Sequence, residues 1–222
     1  MTKNVKRFFF LAAICLVLFC CLAVMLKTLD VQAIGPEGSK IGLATLNAAY
    51  RDAVGTNDTL YKISELLGLL SLAAVAFLGA LAGLQLICRK SFKKVDGDLY
   101  VLGLLYVLTL VAYVLFEICI INYRPVLVDG VLEAAFPSSH TVLALTVSLS
   151  AAEQAWRRIR QKQLRVALPL ALLVIGAATA VGRALSGVHW LTDILGGLLL
   201  ALSLLLFYLG GIAWLAAKKA EV

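Results

Sequence analysis

The sequence has 222 residues, of which 62% are hydrophobic and 15% are charged, and its mean hydropathy is +0.95. Soluble domains carry about 25% charged residues, so this composition excludes a water-soluble globular protein. The net charge of +7 does not indicate a nucleic-acid partner, because the basic residues occur in short clusters between apolar runs and form no continuous basic face. We therefore expect an integral membrane protein.

Six apolar runs predict six transmembrane helices, since about 20 apolar residues cross the hydrocarbon core of a bilayer. In chain order the runs cover residues 8–25, 66–88, 99–121, 141–156, 166–185 and 191–216. The predicted fold class is an all-α, polytopic membrane helical bundle. We divide it into a first transmembrane helix (1–30), an extracytoplasmic amphipathic connector (31–65) and a core with five transmembrane helices (66–216).

The basic residues predict the orientation of the chain. Fourteen of the 20 lysines and arginines lie in the terminal segments and in the connections after the second and fourth runs. Short cytoplasmic segments are enriched in basic residues, so both termini are expected in the cytoplasm of a multi-pass plasma-membrane protein. The first run also resembles a signal peptide cleaved after residues 31–33, but its apolar core exceeds the usual ~7–15 residues, which favours an uncleaved signal anchor.

The connector has a different character from the apolar runs. Residues 41–54 predict an amphipathic helix that Gly55 ends, and Asn57 or Asp58 is expected to cap the next helix. Two interpretations stay open: a connector lying on the membrane surface, or a lid over a functional site. The five cysteines all lie in apolar runs and predict neither a disulfide nor a metal site.

Three polar clusters, in residues 122–125, 137–140 and 182–193, lie at helix ends that the orientation places on the extracytoplasmic side. Polar groups at membrane depth are costly and usually functional. The chain contains two histidines, and both belong to these clusters. The clusters are therefore the candidate site.

The residue types in the clusters fit phosphate chemistry. Arg124 and Arg183 can bind phosphate oxygens through paired hydrogen bonds, and Ser138 and Ser139 stand at a helix start, which attracts anions. Taken singly, each also fits a structural role, since interfacial arginines extend to lipid headgroups and serines cap helices. Trp190 is expected to be an interface anchor.

The histidines supply the reactive groups. His189 and Asp193 are four residues apart and share a helical face if the last helix begins by residue 189. A carboxylate that holds one ring nitrogen leaves the other as a nucleophile, and His140 remains to protonate a leaving oxygen. The pair could also only fix helix packing. Read together, the clusters contain the parts for phosphoryl transfer without a metal or another cofactor.

Together the clusters resemble the motifs of the type 2 phosphatidic acid phosphatase family, which includes the vanadium haloperoxidases. The family pattern is Lys-x6-Arg-Pro, then Pro-Ser-Gly-His, then Ser-Arg-x5-His-x3-Asp. This sequence matches it in order and spacing with Arg124-Pro125, Pro137-Ser138-x-His140 and Arg183-x5-His189-x3-Asp193. The resemblance covers about residues 66–215.

The resemblance implies a phosphatase for a phosphorylated membrane lipid, with phosphatidic acid, phosphatidylglycerophosphate or polyprenyl diphosphate as candidate substrates. It implies that His189 forms a phosphohistidine, that Asp193 orients His189, and that His140 is first the acid and then the base. The residues implied to bind phosphate are Arg124, Ser138 and Arg183, assisted by backbone N–H groups around Ser139.

The sequence departs from the family pattern at three positions: Glu117 replaces the lysine, Ser139 the glycine and Gly182 the serine. An ionised carboxylate at position 117 cannot donate to phosphate, so one positive ligand is absent. Two alternatives therefore stay open beside the phosphatase. One is a lipid-linked phosphotransferase, and the other is a non-catalytic protein that keeps the fold and binds anionic lipid.

Overall fold

A computed structural model describes residues 2–221 of the chain. It contains seven α-helices and, within those residues, isolated β-bridges but no strand. The helices are α1 (Lys3–Thr28), α2 (Ala44–Val54), α3 (Asp58–Arg89), α4 (Gly97–Ile118), α5 (Ser139–Arg158), α6 (Lys162–Leu185) and α7 (Leu191–Ala220), with single 3₁₀ turns at Pro36–Gly38 and Phe92–Lys94. The prediction of an all-α helical bundle is confirmed.

Five helices, α1, α3, α4, α6 and α7, are long and apolar enough to cross a membrane. The sixth predicted span corresponds to α5, whose 20 residues end in a polar stretch with Glu153 and two arginines. The prediction of six spans is thus confirmed for five helices. The chain is a multi-pass membrane protein.

α5 nevertheless runs from one end of the bundle to the other. At one end the N–H of Ser138, its N-cap residue, donates to the carbonyl of Asp193 (3.0 Å). At the opposite end the guanidinium of Arg158 binds Asp96 and Asp98, each at 2.8 Å. α3, α4, α6 and α7 all contact α5. A helix enclosed in this way has little lipid contact, so its polar residues do not prevent it from crossing the bundle.

α1 is a full member of the bundle. Its buried residues recur every seven positions, a spacing that forms one narrow stripe along a helix, and the stripe packs against α7. The stripe consists of Val5, Ala12, Phe19 and Leu26. Ser203 on α7 donates a hydrogen bond to the carbonyl of Ala12 (2.9 Å).

α2 lies across the end of the bundle at which α3, α5 and α7 begin, called the site end below. Tyr50 donates to the carbonyl of Ala184, and Arg51 donates to the carbonyl of Pro125. α2 therefore ties the segment after α4 to the end of α6. We call α2 the clamp helix, because it holds these segments together at the site end. No residue of α2 lines the cavity at this end.

The turn from α2 to α3 is formed by the residues that the sequence predicted. Gly55 closes α2 with φ 66°, and Asn57 caps α3 by accepting the N–H of Leu60 at 3.0 Å. Gly187 lies directly against the carbonyl of Gly55, where any side chain at position 187 would overlap it. α3 begins at Asp58, about two turns before its apolar run, and these turns reach the candidate site.

Candidate active site

The structure brings the three polar clusters together at the site end. The indole Nε1 of Trp190 donates to the carbonyl of Tyr123 (2.7 Å) and joins the third cluster to the first. The hydrogen bond from Ser138 to Asp193 joins the second cluster to the third. Trp190 is only 2% exposed, so the expectation of an interface anchor is wrong, and its ring instead fixes the clusters against one another.

His189 and Asp193 are paired, but not on one helical face. α7 begins at Leu191, so His189 precedes the helix and Trp190 is its N-cap. Oδ2 of Asp193 accepts the N–H of Trp190 at 2.8 Å and lies 3.5 Å from Nδ1 of His189. Both side chains are buried. The carboxylate thus caps α7 and faces one ring nitrogen of His189.

Asn47 of α2 supports this turn from the side. Its buried amide group donates to the Gly42 carbonyl (2.9 Å) and to the Thr192 hydroxyl (3.0 Å), and its oxygen faces the Thr192 N–H (3.3 Å). Thr192 immediately precedes Asp193. The clamp helix therefore positions the first turn of α7.

Arg183 is completely buried near the end of α6. Its guanidinium lies over the ring of Tyr61, 4.8 Å from the centroid, and its Nη2 is 3.7 Å from Oε1 of Glu65. Both partners belong to the first turns of α3, which the motifs do not include. In the sequence, only the spacing of four residues indicates that Tyr61 and Glu65 share a helical face. That spacing does not show that they contact Arg183.

Gly182 explains how α3 comes so close to α6. A Cβ at position 182 would lie 3.0 Å from Cβ of the buried Ser64 on α3. The glycine that replaces the family serine therefore allows the contact that places Tyr61 and Glu65 beside Arg183.

Arg124 is held by the segment between α4 and α5. Its Nη2 pairs with Oε2 of Glu133 at 3.1 Å, and its backbone N–H donates to the Glu133 carbonyl at 3.0 Å. The Arg124 side chain is 9% exposed, whereas that of Glu133 is 40% exposed. The guanidinium is thus fixed inside the protein with its carboxylate partner at the rim.

The start of α5 supplies the second cluster. Ser138 is fully buried, and its hydroxyl accepts a hydrogen bond from the Thr141 hydroxyl at 3.0 Å. Ser139 and His140 occupy the first positions of α5, whose N–H groups have no acceptor within the helix. Both side chains line a cavity. The helix therefore directs free N–H groups and a partial positive charge toward that space.

His140 packs against α3. A Cβ added to Gly68 would lie 3.2 Å from Cδ2 of the imidazole. The glycine thus leaves room for the ring, and α3 contacts both His140 and Arg183. No sequence motif indicated this role for α3.

Seven buried nitrogen atoms of four basic side chains have no hydrogen-bond partner among residues 2–221. They are Nη1 of Arg124, Nδ1 of His140, all three guanidinium nitrogens of Arg183, and both ring nitrogens of His189. Buried polar atoms in folded proteins are almost always paired. Their concentration at one place fits an anion that accepts several hydrogen bonds.

A cavity of about 600 Å³ lies beside this group, and the two histidines and Ser139 line it. Glu117, near the end of α4, is exposed and also lines the cavity. Most other lining residues are apolar and belong to α3, α4 and α5, including Leu72, Val75, Tyr106, Leu110, Tyr113, Phe116, Val142 and Leu143. The polar site is thus continuous with an apolar chamber.

The surroundings of His189 keep its imidazole neutral. Burial lowers the pKa of His189 well below its usual value of 6.5, and the positive charges of Arg124 and Arg183 lower the pKa further. A neutral imidazole retains a nitrogen lone pair at physiological pH. With Asp193 facing Nδ1, that lone pair belongs on Nε2.

The chain resembles known proteins both in sequence and in fold. The PAP2 superfamily model matches residues 119–215. A transmembrane PAP2-type phosphatidylglycerolphosphate phosphatase from Bacillus subtilis shares the fold, with a TM-score of 0.62 and 20% identity over 95% of this chain and 96% of that chain.

LpxE from Aquifex aeolicus is also similar, with a TM-score of 0.42 and 20% identity over 78% of this chain and 96% of that chain. No curated protein sequence matches the chain. The family match contains all three polar clusters, the whole of α5 and α6, and α7 as far as residue 215. Residues 119–215 thus match the PAP2 superfamily, in agreement with the resemblance of the three motifs to that family.

Proposed function

We propose that the protein is a membrane phosphatase that removes phosphate from a lipid phosphate or diphosphate through a phosphohistidine intermediate. The observation that carries this proposal is the group of unpartnered nitrogens on Arg124, His140, Arg183 and His189, of which the two histidines line the cavity. Such a group matches a phosphoryl group, which offers several acceptor oxygens and one electrophilic phosphorus.

Phosphate binding falls to Arg124, Arg183 and the start of α5. The two guanidinium groups donate to separate oxygens, and the N–H groups at Ser139 and His140 donate to a third. These fixed donors stabilise the charge that develops on the oxygens in the transition state. Ser138 holds the helix start in place through its hydrogen bonds to Asp193 and Thr141.

In the first step, Nε2 of His189 attacks phosphorus and the bond from phosphorus to the lipid oxygen breaks. His140 in its protonated form gives a proton to that oxygen, and the lipid leaves as an alcohol or as a monophosphate. Asp193 stabilises the positive charge that His189 acquires. The negative charge of the bound phosphate favours the imidazolium form of His140, which the positive charges of Arg183 and Arg124 otherwise disfavour.

In the second step, water attacks the phosphohistidine, and His140 accepts a proton from that water. The bond from phosphorus to Nε2 breaks and inorganic phosphate is released. Each role in both steps is filled by a side chain or a backbone N–H group. Chelators are therefore expected to leave activity intact, and a loss that a divalent metal reverses would contradict the scheme.

The cavity suits the hydrocarbon part of a lipid. Leu72 on α3, and Leu110 and Tyr113 on α4, line it and are also exposed on the lipid-facing surface of the bundle, at 51%, 61% and 48%. An opening between α3 and α4 would let the headgroup reach the histidines while the chain stays in the bilayer. The distribution of basic residues supports a site end outside the cytoplasm and both termini inside.

A phosphate-release screen of the purified protein tests the proposal across phosphatidic acid, phosphatidylglycerophosphate and polyprenyl diphosphate in detergent. Replacing His189 by alanine should lower turnover by about 10³-fold or more while the protein stays folded. Phosphate transferred to an alcohol, with none released to water, would favour the phosphotransferase. Lipid binding without turnover of any of these substrates would favour the non-catalytic alternative.

A further inference from the structure

Each of the two buried arginines already has a carboxylate partner at the rim of the site. Arg124 pairs with Glu133 at 3.1 Å, and Arg183 faces Glu65 at 3.7 Å. The partners come from unrelated parts of the chain, the segment before α5 and the first turns of α3. The same arrangement thus occurs twice around one site.

The two members of each pair differ in burial. The arginine side chains are 9% and 0% exposed, whereas those of Glu133 and Glu65 are 40% and 44% exposed. A half-exposed carboxylate can turn toward water at little cost, but a buried guanidinium cannot leave its pocket. An arriving anion would therefore displace the carboxylates and leave both arginines where they are.

We propose that Glu65 and Glu133 are exchangeable counter-ions of the phosphate site, an inference that rests on the proposed function. In the empty site they offset the charges of Arg183 and Arg124. When phosphate binds, it takes over these guanidinium groups, and the carboxylates turn outward. Because they compete with phosphate for the arginines, they weaken the binding of released phosphate and speed its departure.

The competition predicts the effect of replacing each glutamate by glutamine. An ion pair with an exposed partner contributes up to ~1 kcal/mol, so Glu65→Gln and Glu133→Gln should each lower the Kd for inorganic phosphate by about two- to fivefold. The double variant should combine the two effects, because the glutamates act on different arginines. If the glutamates had only a structural role, these substitutions would destabilise the protein without tightening phosphate binding.

Thermal unfolding of the purified protein, titrated with inorganic phosphate in the absence of lipid, measures this Kd. Glu37→Gln is the matched control, since Glu37 is exposed in the turn Pro36–Gly38 and faces neither arginine. We expect a larger phosphate-induced rise in Tm for the Glu65 and Glu133 variants than for wild type and the control. Glu65→Asp, which withdraws the carboxylate by one methylene, should act in the same direction and serves if the glutamine variant does not fold.

An equal or smaller rise in both glutamine variants, or no rise in any protein, would overturn the inference. The outcome is separate from that of the lipid screen, because phosphate binding is measured without turnover. A protein that binds phosphate more tightly in the variants but hydrolyses no lipid would support the counter-ions and reject the phosphatase.

Discussion

His189 owes its chemistry to three neighbours of different kinds. The apolar surroundings disfavour the imidazolium, the two arginines disfavour it further, and the carboxylate of Asp193 faces Nδ1. Desolvation and like charges both oppose protonation. The combination keeps a free lone pair on the nitrogen that would attack phosphorus.

This environment predicts the titration of His189. In a His140→Asn variant, His189 is the single histidine of the chain, so its imidazole resonances can be followed by NMR in detergent. We expect a midpoint below pH 6.5, with the neutral form dominant above the midpoint. Added phosphate should raise the midpoint, because its negative charge favours the imidazolium. A midpoint at or above pH 6.5 without phosphate would contradict the geometry.

Glu117 stands where the family pattern has a lysine, and it lines the same cavity as both histidines. Replacing it by lysine should restore a positive ligand and lower the inhibition constant of vanadate, by about fivefold or more if one charged hydrogen bond forms. Glu117→Gln, which only removes the negative charge, should give a smaller effect. Unchanged inhibition in both variants would mean that the side chain faces lipid.

Much of the candidate site could be predicted at the scale of single residues. The motifs named Arg124, Ser138, His140, Arg183 and His189, and the structure places all of them together. Glu65, Tyr61 and Gly68 could not be named, because their place beside the site follows from how α3 packs on α5 and α6. Sequence spacing carries no information about such contacts between distant segments.

At the scale of the elements, α3 both crosses the membrane and contacts His140 and Arg183 of the candidate site. Gly68 marks the contact, because an added methyl group would press on His140 from 3.2 Å. Gly68→Ala should therefore displace the imidazole and lower kcat by up to about tenfold.

Gly79→Ala is the matched control for this prediction. Gly79 lies on the same helix, and apart from its chain neighbours and the backbone of α3, no atom of the described residues lies within 4 Å of its added Cβ. Activity should stay unchanged in this variant, with a small gain in stability from helix propensity. Equal kcat values for the two variants would show that α3 does not position His140.

α2 is expected to stabilise the site end through Asn47. Asn47→Ala would leave the Gly42 carbonyl and the Thr192 hydroxyl without a buried partner, at a cost of about 1–3 kcal/mol. Asn4→Ala changes an exposed asparagine in α1 and should alter stability by less than about 0.5 kcal/mol. Thermal unfolding in detergent measures both, and equal Tm values would refute the clamp.

The observed ends of the helices show what hydropathy could not predict. The apolar runs indicated all six long helices, α5 included, but a run reports apolar length and not where a helix ends. α3 therefore begins before its apolar run, whereas α7 begins at the first residue of its run. α5 is less apolar because other helices surround it, so its composition reflects protein contacts.

For the whole molecule, the two ends of the bundle have separate tasks. The opposite end holds a network in which Arg158 and Arg89 bind Asp96, and these hydrogen bonds keep the pKa of Asp96 well below its usual range. This network joins α3, α4 and α5 far from the histidines. The site end has buried cations without full partners, which is unfavourable for stability and suited to binding an anion.

The central claim is that two imidazoles and two guanidinium groups surround one phosphoryl group bound to His189. A structure of the protein with vanadate tests it most directly, because vanadate adopts the five-coordinate geometry of phosphoryl transfer. We expect vanadium bonded to Nε2 of His189, with its oxygens within hydrogen-bond distance of Arg124, Arg183 and the start of α5. Vanadate bound away from His189, or absent from this site at saturating concentration, would contradict the account.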